Sequence, residues 1–391
     1  MLLEIILALL IGVSAGTITG LIPGIHINLI GALLISLATS IYLDPIYALV
    51  FIVSMAITHT FVDFIPSIFL GCPDTDTELS VLPGHELLKN KRGYEAIYLS
   101  NKGSLTAIFL LLIISIPSIF IIKNIYSYLQ KIIPYLLIII LILLILTEKN
   151  KMNSIFVILL TGFLGFSINS LEINQPLLPL LTGLFGASNI IISIQNKTKI
   201  PDQIIEKSFV SIKNPIKAAL FSAPICSLLP GMGSGQAAII GNTFIKNSRK
   251  QFLILIGIIN TLVMAFSFIT LYSIGKTRTG AAVSINEIIP YLDVKHLILI
   301  LIIIFISGII AYYLTDCLAK ITAINFKKIN YKILSIITLI ILLIIVLLVS
   351  KFLGVIILII STFTGIYCIK LKVRRTNMMA ALILPTIIWL I

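Results

Sequence analysis

Two proline-glycine pairs interrupt long apolar stretches of this 391-residue chain. Pro23 and Gly24 lie in a run without Asp, Glu, Lys or Arg that covers 5–43, and Pro230 and Gly231 lie in a similar run. Proline removes a backbone donor and clashes with the preceding turn, while glycine tolerates irregular dihedrals, so we expect both helices to break there. Unpaired backbone groups persist in lipid only inside protein or beside water, so each break is a candidate site.

The chemistry of such a break is ion binding. The N-terminus of a half-helix exposes N–H groups with partial positive charge, which suits an anion, and freed carbonyl groups suit a cation. One proline-glycine pair more often marks a simple kink, but two in matching positions favour a site. The predicted substrate-binding residues are Pro23, Gly24, His26, Asn28, Pro230, Gly231, Gly233, Ser234, Gln236 and Asn260.

Ionisable residues in or beside apolar runs are further candidates, because charges are expensive in a membrane. A histidine can change charge near neutral pH, although an isolated one is as often a core imidazole. Two glycine-led turns, 71–76 and 275–280, carry opposite charges. These charges could lock the two halves together, or the cations could hold a substrate while the acids bind a coupling ion. The plain alternative is two solvated loops whose charges never meet. The residues predicted for ion coupling or gating are His59, Asp63, Asp74, Asp76, Lys276 and Arg278.

The composition fixes the elements that must position these residues. The chain is 59% hydrophobic and 11% charged, whereas soluble domains carry roughly a quarter charged residues, which excludes an ordinary soluble enzyme, a nucleic-acid binder and a disordered chain. The apolar runs are continuous rather than alternating, so they predict roughly ten to twelve membrane-spanning helices. The net charge of +13 comes from short connecting loops and indicates orientation. We therefore predict an all-α polytopic protein of the cell membrane without a nucleic-acid partner.

Internal similarity predicts two pseudo-symmetric repeats. Pro23 aligns with Pro230 at an offset of 207 residues and His59 with Asn260 at 201, and the two polar turns align at 204. The predicted units are an N-terminal membrane repeat over 1–200 and a C-terminal membrane repeat over 201–391, each with a broken or re-entrant helix at its proline-glycine loop. Whether the repeat is inverted depends on the number of spans in each half, which the sequence leaves open.

The sequence does not predict a metal site. The four cysteines show no paired spacing, so neither disulfides nor a thiolate site is indicated. His85 and Glu86 begin like a zinc-protease helix, but Lys89 stands where the second histidine is required. We expect no cofactor beyond a sodium ion or proton as the coupling ion.

At these motifs the sequence resembles the large permease subunit of the tripartite tricarboxylate transporter family, particularly its stand-alone archaeal branch. The similar segments are the two proline-glycine loops, the stretch 66–74 that leads to 82–85, and 181–188. The resemblance implies a permease that takes up di- or tricarboxylates by symport, with a small membrane subunit and a solute-binding protein as partners. It places Pro23, Gly24, Asn28, Pro230, Gly231, Gly233, Ser234 and Gln236 on the substrate and ion loops.

Three functions are weighed. The first is an ion-coupled carrier of a small organic anion, in which the two loops face each other at mid-membrane and access alternates. The second is a translocase for a lipid-linked phosphate such as a polyprenyl phosphate, with Lys276 and Arg278 on the phosphate. The third is an intramembrane hydrolase, which lacks its usual motifs although Ser234 lies between two glycines. The first is preferred, and we expect no enzyme; membrane lipid and the anion are the expected partners.

Overall fold

The computed structural model describes residues 2–22, 44–69, 77–173, 175–195, 201–229, 232–325 and 331–391. Most of the residues in these ranges are helical, and the ranges contain no strand. Seven of their helices are long and apolar enough to cross a membrane, which confirms the prediction of an all-α polytopic membrane protein.

In chain order the helices are α1 (Leu2–Leu21), α2 (Pro45–Val62), α3 (Phe64–Phe69), α4 (Val81–Lys89), α5 (Gly93–Leu146), α6 (Lys151–Asn169), α7 (Leu177–Leu181), α8 (Ser188–Gln195), α9 (Lys213–Leu228), α10 (Ser234–Phe244), α11 (Arg249–Ile274), α12 (Gly280–Ile288), α13 (Val294–Asn325), α14 (Tyr331–Lys370) and α15 (Ala380–Leu390). A π-helical turn, Thr182–Ala187, joins α7 to α8, and short 3₁₀ turns cover Glu78–Ser80 and Arg375–Met379.

Local sequence sets the ends of α11, the helix around which the site is built. The Ser248 hydroxyl accepts the Gln251 N–H at 3.3 Å, and the Gln251 side chain accepts the Ser248 N–H at 3.0 Å. This reciprocal pair is a capping box. The helix ends at Gly275, whose φ of 65° is a left-handed conformation that glycine adopts without strain.

The centre of the fold is a close parallel pair formed by α5 and α11. Their first turns meet where Lys250 binds Glu95 at 2.7 Å, and further along Lys123 lies 5.3 Å from the centre of the Tyr272 ring. The backbones touch between these points, because a Cβ built on Gly257 would lie 2.0 Å from the Ser100 carbonyl oxygen. Helix α13 returns antiparallel to α5.

Two further pairs of helices are each parallel, and the two pairs run in opposite directions to each other. In α1 and α2, Gly16 lies against Met55 and Gly20 against Val62, so the pair is parallel. Helices α9 and α11 also start side by side, since the Gln251 amide donates to the Ser211 carbonyl at 3.2 Å. Helices α2 and α3 run towards the start of α5, where Phe69 meets Gly93, so α2 is antiparallel to α11. The division into repeats over 1–200 and 201–391 stays a prediction.

Two helices exceed a single passage. Helix α5 has 54 residues, with Pro117 and Pro134 inside it; a straight helix of that length would measure about 80 Å, more than twice the ~30 Å of hydrocarbon. Helix α14 is interrupted at Lys351, where φ is 56°, and Gly354 lies against Val346, so the chain folds back there. The predicted number of spans stays a prediction.

A charge network around the buried Glu95 joins α5, α11 and the connection 201–212 where the two helices begin. The Glu95 side chain is fully buried and contacts Lys250, Arg92 at 2.6 Å, and the Ser208 hydroxyl. Ser208 belongs to the extended connection 201–212, which is also held by a bond from the Ile204 N–H to the Lys91 carbonyl at 2.8 Å. Because basic residues are concentrated here, we call this end of the molecule the basic face.

Candidate functional site

A helical hairpin surrounds the second proline-glycine pair. Helix α9 ends at Leu228 and α10 begins at Ser234, so the predicted break of the helix is confirmed. The two arms have 16 and 11 residues, which corresponds to about 24 and 16 Å, and neither arm alone covers ~30 Å of hydrocarbon.

The start of α9 and the end of α10 both lie at the basic face. The Asn214 amide at the start of α9 donates to the Lys246 carbonyl just after α10 at 3.4 Å. Between base and tip, a Cβ on Gly241 would lie 2.9 Å from the Ser222 hydroxyl oxygen, so the arms pack antiparallel. The hairpin therefore leaves the basic face and returns to it, and we call its far end, near Leu229 and Met232, the hairpin tip.

Gln236 holds the N-terminus of α10 in place. Its side-chain oxygen accepts the Gly233 N–H at 2.9 Å, and its side-chain nitrogen donates to the Thr376 carbonyl at 3.3 Å. The side chains of Ser234 and Gln236 are both buried. The amide that was predicted to bind substrate thus links the hairpin tip to the C-terminal segment, and its contact with substrate stays a prediction.

A cavity of about 390 Å³ opens at the hairpin tip. It brings together three residues from the predicted set, Gly233, Lys276 and Arg278. Of the described residues that line it, Lys276 and Arg278 are the only charged ones. The other walls include Ser227, Leu228 and Met232 from the hairpin, Val263 and Met264 from α11, Tyr126 and Gln130 from α5, and Met379, Leu382 and Trp389 from the C-terminal segment.

The cationic turn after α11 is fixed to the hairpin. The Arg278 guanidinium donates to the carbonyl of Leu229, the residue before Pro230. The next residue, Thr279, shares a hydrogen bond of 2.9 Å with the Ser267 hydroxyl and caps α12 by accepting the Ala282 N–H at 3.3 Å. The planar guanidinium offers several donors in fixed directions, so one edge can hold the hairpin tip while the side chain lines the cavity.

The two segments that align at an offset of 201 contact each other inside the protein. The Asn260 amide donates to the Asp63 carboxylate at 2.9 Å and to the Thr60 carbonyl at 3.3 Å. The hydroxyls of Thr60 and Thr261 are 3.1 Å apart. All four side chains are buried. We call these four residues the polar crossing; it joins α2 to α11 about one helical turn from Met264 in the cavity wall.

His59 extends this polar region towards α1. Its Nδ1 atom lies 3.1 Å from the Thr19 hydroxyl, and the side chain is 5% exposed. Helix α1 ends at Leu21, just before the first proline-glycine pair. The structure thus brings together His59, Asp63 and Asn260 with their partners, as a cluster next to the end of α1.

Several predicted residues lie outside the described residues: Pro23, Gly24, His26, Asn28, Asp74, Asp76, Pro230 and Gly231. The predicted encounter of the two loops and the predicted pairing of the oppositely charged turns therefore stay predictions. In the described part of the chain, no group of three or more His, Cys, Asp or Glu residues is arranged to hold a metal ion.

His85 lies on α4 near the basic face, outside the membrane-spanning helices. Burial is the main cause that lowers its pKa to about 4, and the positive charges of Lys89 and Arg375 lower it further. Its Nε2 atom is buried without a hydrogen-bond partner among the described residues. The imidazole is therefore held neutral at physiological pH.

The C-terminal wall of the cavity was not foreseen from sequence. Met379, Leu382 and Trp389 follow the cationic turn by about 100 residues, and an apolar helix gives no local signal of what it faces. The only available hint was that Trp389 is the single tryptophan of the chain.

Comparison with known proteins agrees with this architecture. A sequence profile described as the tripartite tricarboxylate transporter TctA family matches residues 6–380. The chain belongs to this family. An uncharacterised protein of Methanocaldococcus jannaschii is 31% identical over 98% of this chain and 98% of its own length. No solved structure matches the chain.

Family membership confirms the resemblance seen in the motifs and identifies this multi-pass membrane protein as a transport component of the tripartite tricarboxylate type. Proteins of the TctA family normally work with a solute-binding subunit and a small membrane subunit.

Proposed function

We propose that this TctA-family protein is a secondary transporter of a small organic anion, driven by a proton or sodium gradient through alternating access. The observation that carries the proposal is the cavity at the tip of the re-entrant hairpin, whose only charged lining residues among those described are two cations. The family name makes di- and tricarboxylates the first substrates to test, and a solute-binding protein and a small membrane subunit the partners to seek.

The cavity supports anion binding by position as well as by charge. Arg278 is half-buried and Lys276 is exposed where the two cations line the cavity, and charge interactions in a partly desolvated cavity are stronger than in bulk water. Gly233, at the start of α10, also lines the cavity, and the N-terminus of a helix adds partial positive charge. Broken helices in other secondary transporters use the same combination.

The polar crossing is the proposed coupling element. Asp63 is 4% exposed in the interior of a membrane protein, where an ionisable residue is costly and usually functional. Its carboxylate and the neighbouring Thr60 carbonyl and hydroxyl oxygens suit a sodium ion, and the carboxylate alone suits a proton. Asn260 bonds to this group and lies four residues from Met264 in the cavity wall, about 6 Å along α11, so ion binding at the crossing can act on the anion cavity.

The two ends of the molecule suit alternating access. The positive-inside rule favours the cytoplasm for the basic face. The cavity lies towards the other end of α11, beside Ile274 and the cationic turn, so in this orientation it would open to the outside. Parallel pairs α1–α2 and α9–α11 run in opposite directions, as two inverted repeats that exchange conformations would require.

Counterflow of labelled carboxylates into proteoliposomes tests the proposal. Arg278→Gln and Lys276→Gln should each reduce counterflow at least tenfold, since a hydrogen bond to a charged group contributes about 1.5–3 kcal/mol. Lys295→Gln is the matched control, because it removes an exposed cation outside the cavity. Asp63→Asn should retain counterflow and lose accumulation driven by an imposed gradient. Equal loss in the Lys295 control, or full accumulation by the Asp63 variant, would contradict the assignment.

A further inference from the structure

We infer that the ligand of this cavity is an amphiphilic anion, with one anionic head and an apolar body, rather than a compact polyanion. The inference rests on the proposed function, since it takes the cavity as the transport site, and it specifies the chemical class of the ligand. A soluble aromatic or aliphatic carboxylate and a lipid-linked phosphate share this chemistry.

The charged and apolar walls are separate. Both lining cations belong to one short turn, Lys276–Thr279, and Arg278 is held against the hairpin tip by the Leu229 carbonyl. The C-terminal segment contributes apolar side chains, Met379, Leu382 and Trp389 among them. None of the described lining residues is acidic. The cavity therefore has one end that binds anions and a wall that binds hydrocarbon.

A compact tricarboxylate fits this distribution poorly. With two lining cations in one turn, at least one of its three carboxylates would lack a cationic partner and meet only apolar or neutral polar side chains. A charge that loses its water without gaining a partner is strongly disfavoured. An apolar body binds favourably at the same wall, because each methylene that leaves water for an apolar wall improves the affinity by roughly fourfold.

The size and the mouth of the cavity agree with such a ligand. Its volume of about 390 Å³ lies within the range of small-molecule sites, roughly 300–1,000 Å³. Trp389 is 87% exposed although it lines the cavity, so its ring offers a large accessible face to an aromatic or isoprenoid body.

The single tryptophan provides the experiment, because any change in its emission comes from the cavity wall. Full-length protein in nanodiscs is titrated with straight-chain monocarboxylates from propionate to octanoate, with citrate, and with a short isoprenyl phosphate. Isothermal titration calorimetry runs in parallel, so that binding without a fluorescence change is still detected. We expect the dissociation constant to fall roughly fourfold per methylene until the cavity is full, and citrate to bind more weakly than octanoate.

Four variants separate the two walls. Arg278→Gln should weaken binding of every anion, whereas Lys295→Gln should not. Leu382→Ser should flatten the dependence on chain length, whereas Ile388→Ser, an exposed residue of the same helix outside the cavity, should leave it unchanged. Tighter binding of isoprenyl phosphate than of a carboxylate with the same carbon number would assign the lipid source, and the reverse order the soluble source.

Citrate binding tighter than every monocarboxylate, or affinity independent of chain length, would overturn the inference. If citrate is transported and depends on Arg278, the proposed function stands while the inference falls. If no anion binds and counterflow is absent in the wild type, both fail.

Discussion

Gly257→Ala is the most direct test of how the helix packing supports the polar crossing. A Cβ at this position of α11 would lie 2.0 Å from the carbonyl oxygen of Ser100 and 2.9 Å from its carbonyl carbon. Ordinary contact begins at 3.4 Å, so the helices must separate by about 1.4 Å, the difference between the two distances. The obstacle is backbone, which cannot rotate away.

This displacement should reach the crossing. Asn260 and Thr261 follow Gly257 within about one turn, and hydrogen bonds of 2.9 Å to Asp63 and 3.1 Å to Thr60 cannot absorb a shift of that size. Overpacking costs about 1–3 kcal/mol, and the bond to the charged Asp63 contributes about 1.5–3 kcal/mol. Alanine's better helix propensity returns about 1 kcal/mol. We expect unfolding free energy to fall by about 1.5–5 kcal/mol.

Thermal unfolding in detergent and gradient-driven uptake measure the two consequences. Gly308→Ala is the matched control, because this glycine of α13 also faces α5 but its nearest neighbour is the Ile108 side chain, at 2.7 Å, and a side chain shifts more easily than a backbone carbonyl. The control should unfold within a few degrees of the wild type and transport normally. A Gly257→Ala protein as stable and as well coupled as the control would refute the reasoning.

Three further predictions concern the basic face and sidedness. Glu95→Gln removes the buried carboxylate that the partly exposed Arg92 and Lys250 contact and should cost about 1.5–3 kcal/mol of stability. Glu86→Gln, which removes an exposed pair with Arg249, should cost under ~1 kcal/mol; similar melting curves would contradict this. The pKa of His85 is lowered to about 4 in the folded protein, so on acidification the unfolded state binds this proton first. The unfolding temperature should therefore fall as the pH drops from 6.5 to 4 and should be constant above pH 6.5. His85→Gln should remove this pH dependence. Phe209 and Tyr291 are both highly exposed and lie at opposite ends of the molecule. In a cysteine-free background, Phe209→Cys should react with an impermeant maleimide only from the cytoplasm, and Tyr291→Cys only from outside. The opposite labelling would invert the topology.

Much of the local structure was predictable because its causes are local. The break between α9 and α10 follows from Pro230 and Gly231, and the end of α11 follows from Gly275. The membrane class follows from composition alone. These features need no partner element, so the pattern of residue types is sufficient to predict them.

The structure brings only some of the predicted site residues into contact, for a reason that the polar crossing illustrates. Sequence similarity paired His59 with Asn260 by position, and the fold instead joins Asn260 to Asp63 and Thr60. The two segments do contact each other, while their relation as repeats stays a prediction. A linear offset carries no information on which side chains of two crossing helices meet.

The sequence by itself determined that this protein lies in the membrane, that it is helical, that the second helical stretch breaks at a glycine-rich loop, and that it belongs with the tricarboxylate permeases. Tertiary structure alone decided that a cationic turn lies over the tip of the hairpin, that the far C-terminal helix supplies the apolar wall of the cavity, and that the connection between the halves is fastened to Glu95. Hydrophobic burial has no direction and operates between helices hundreds of residues apart, so only the folded packing assigns each apolar helix its neighbours.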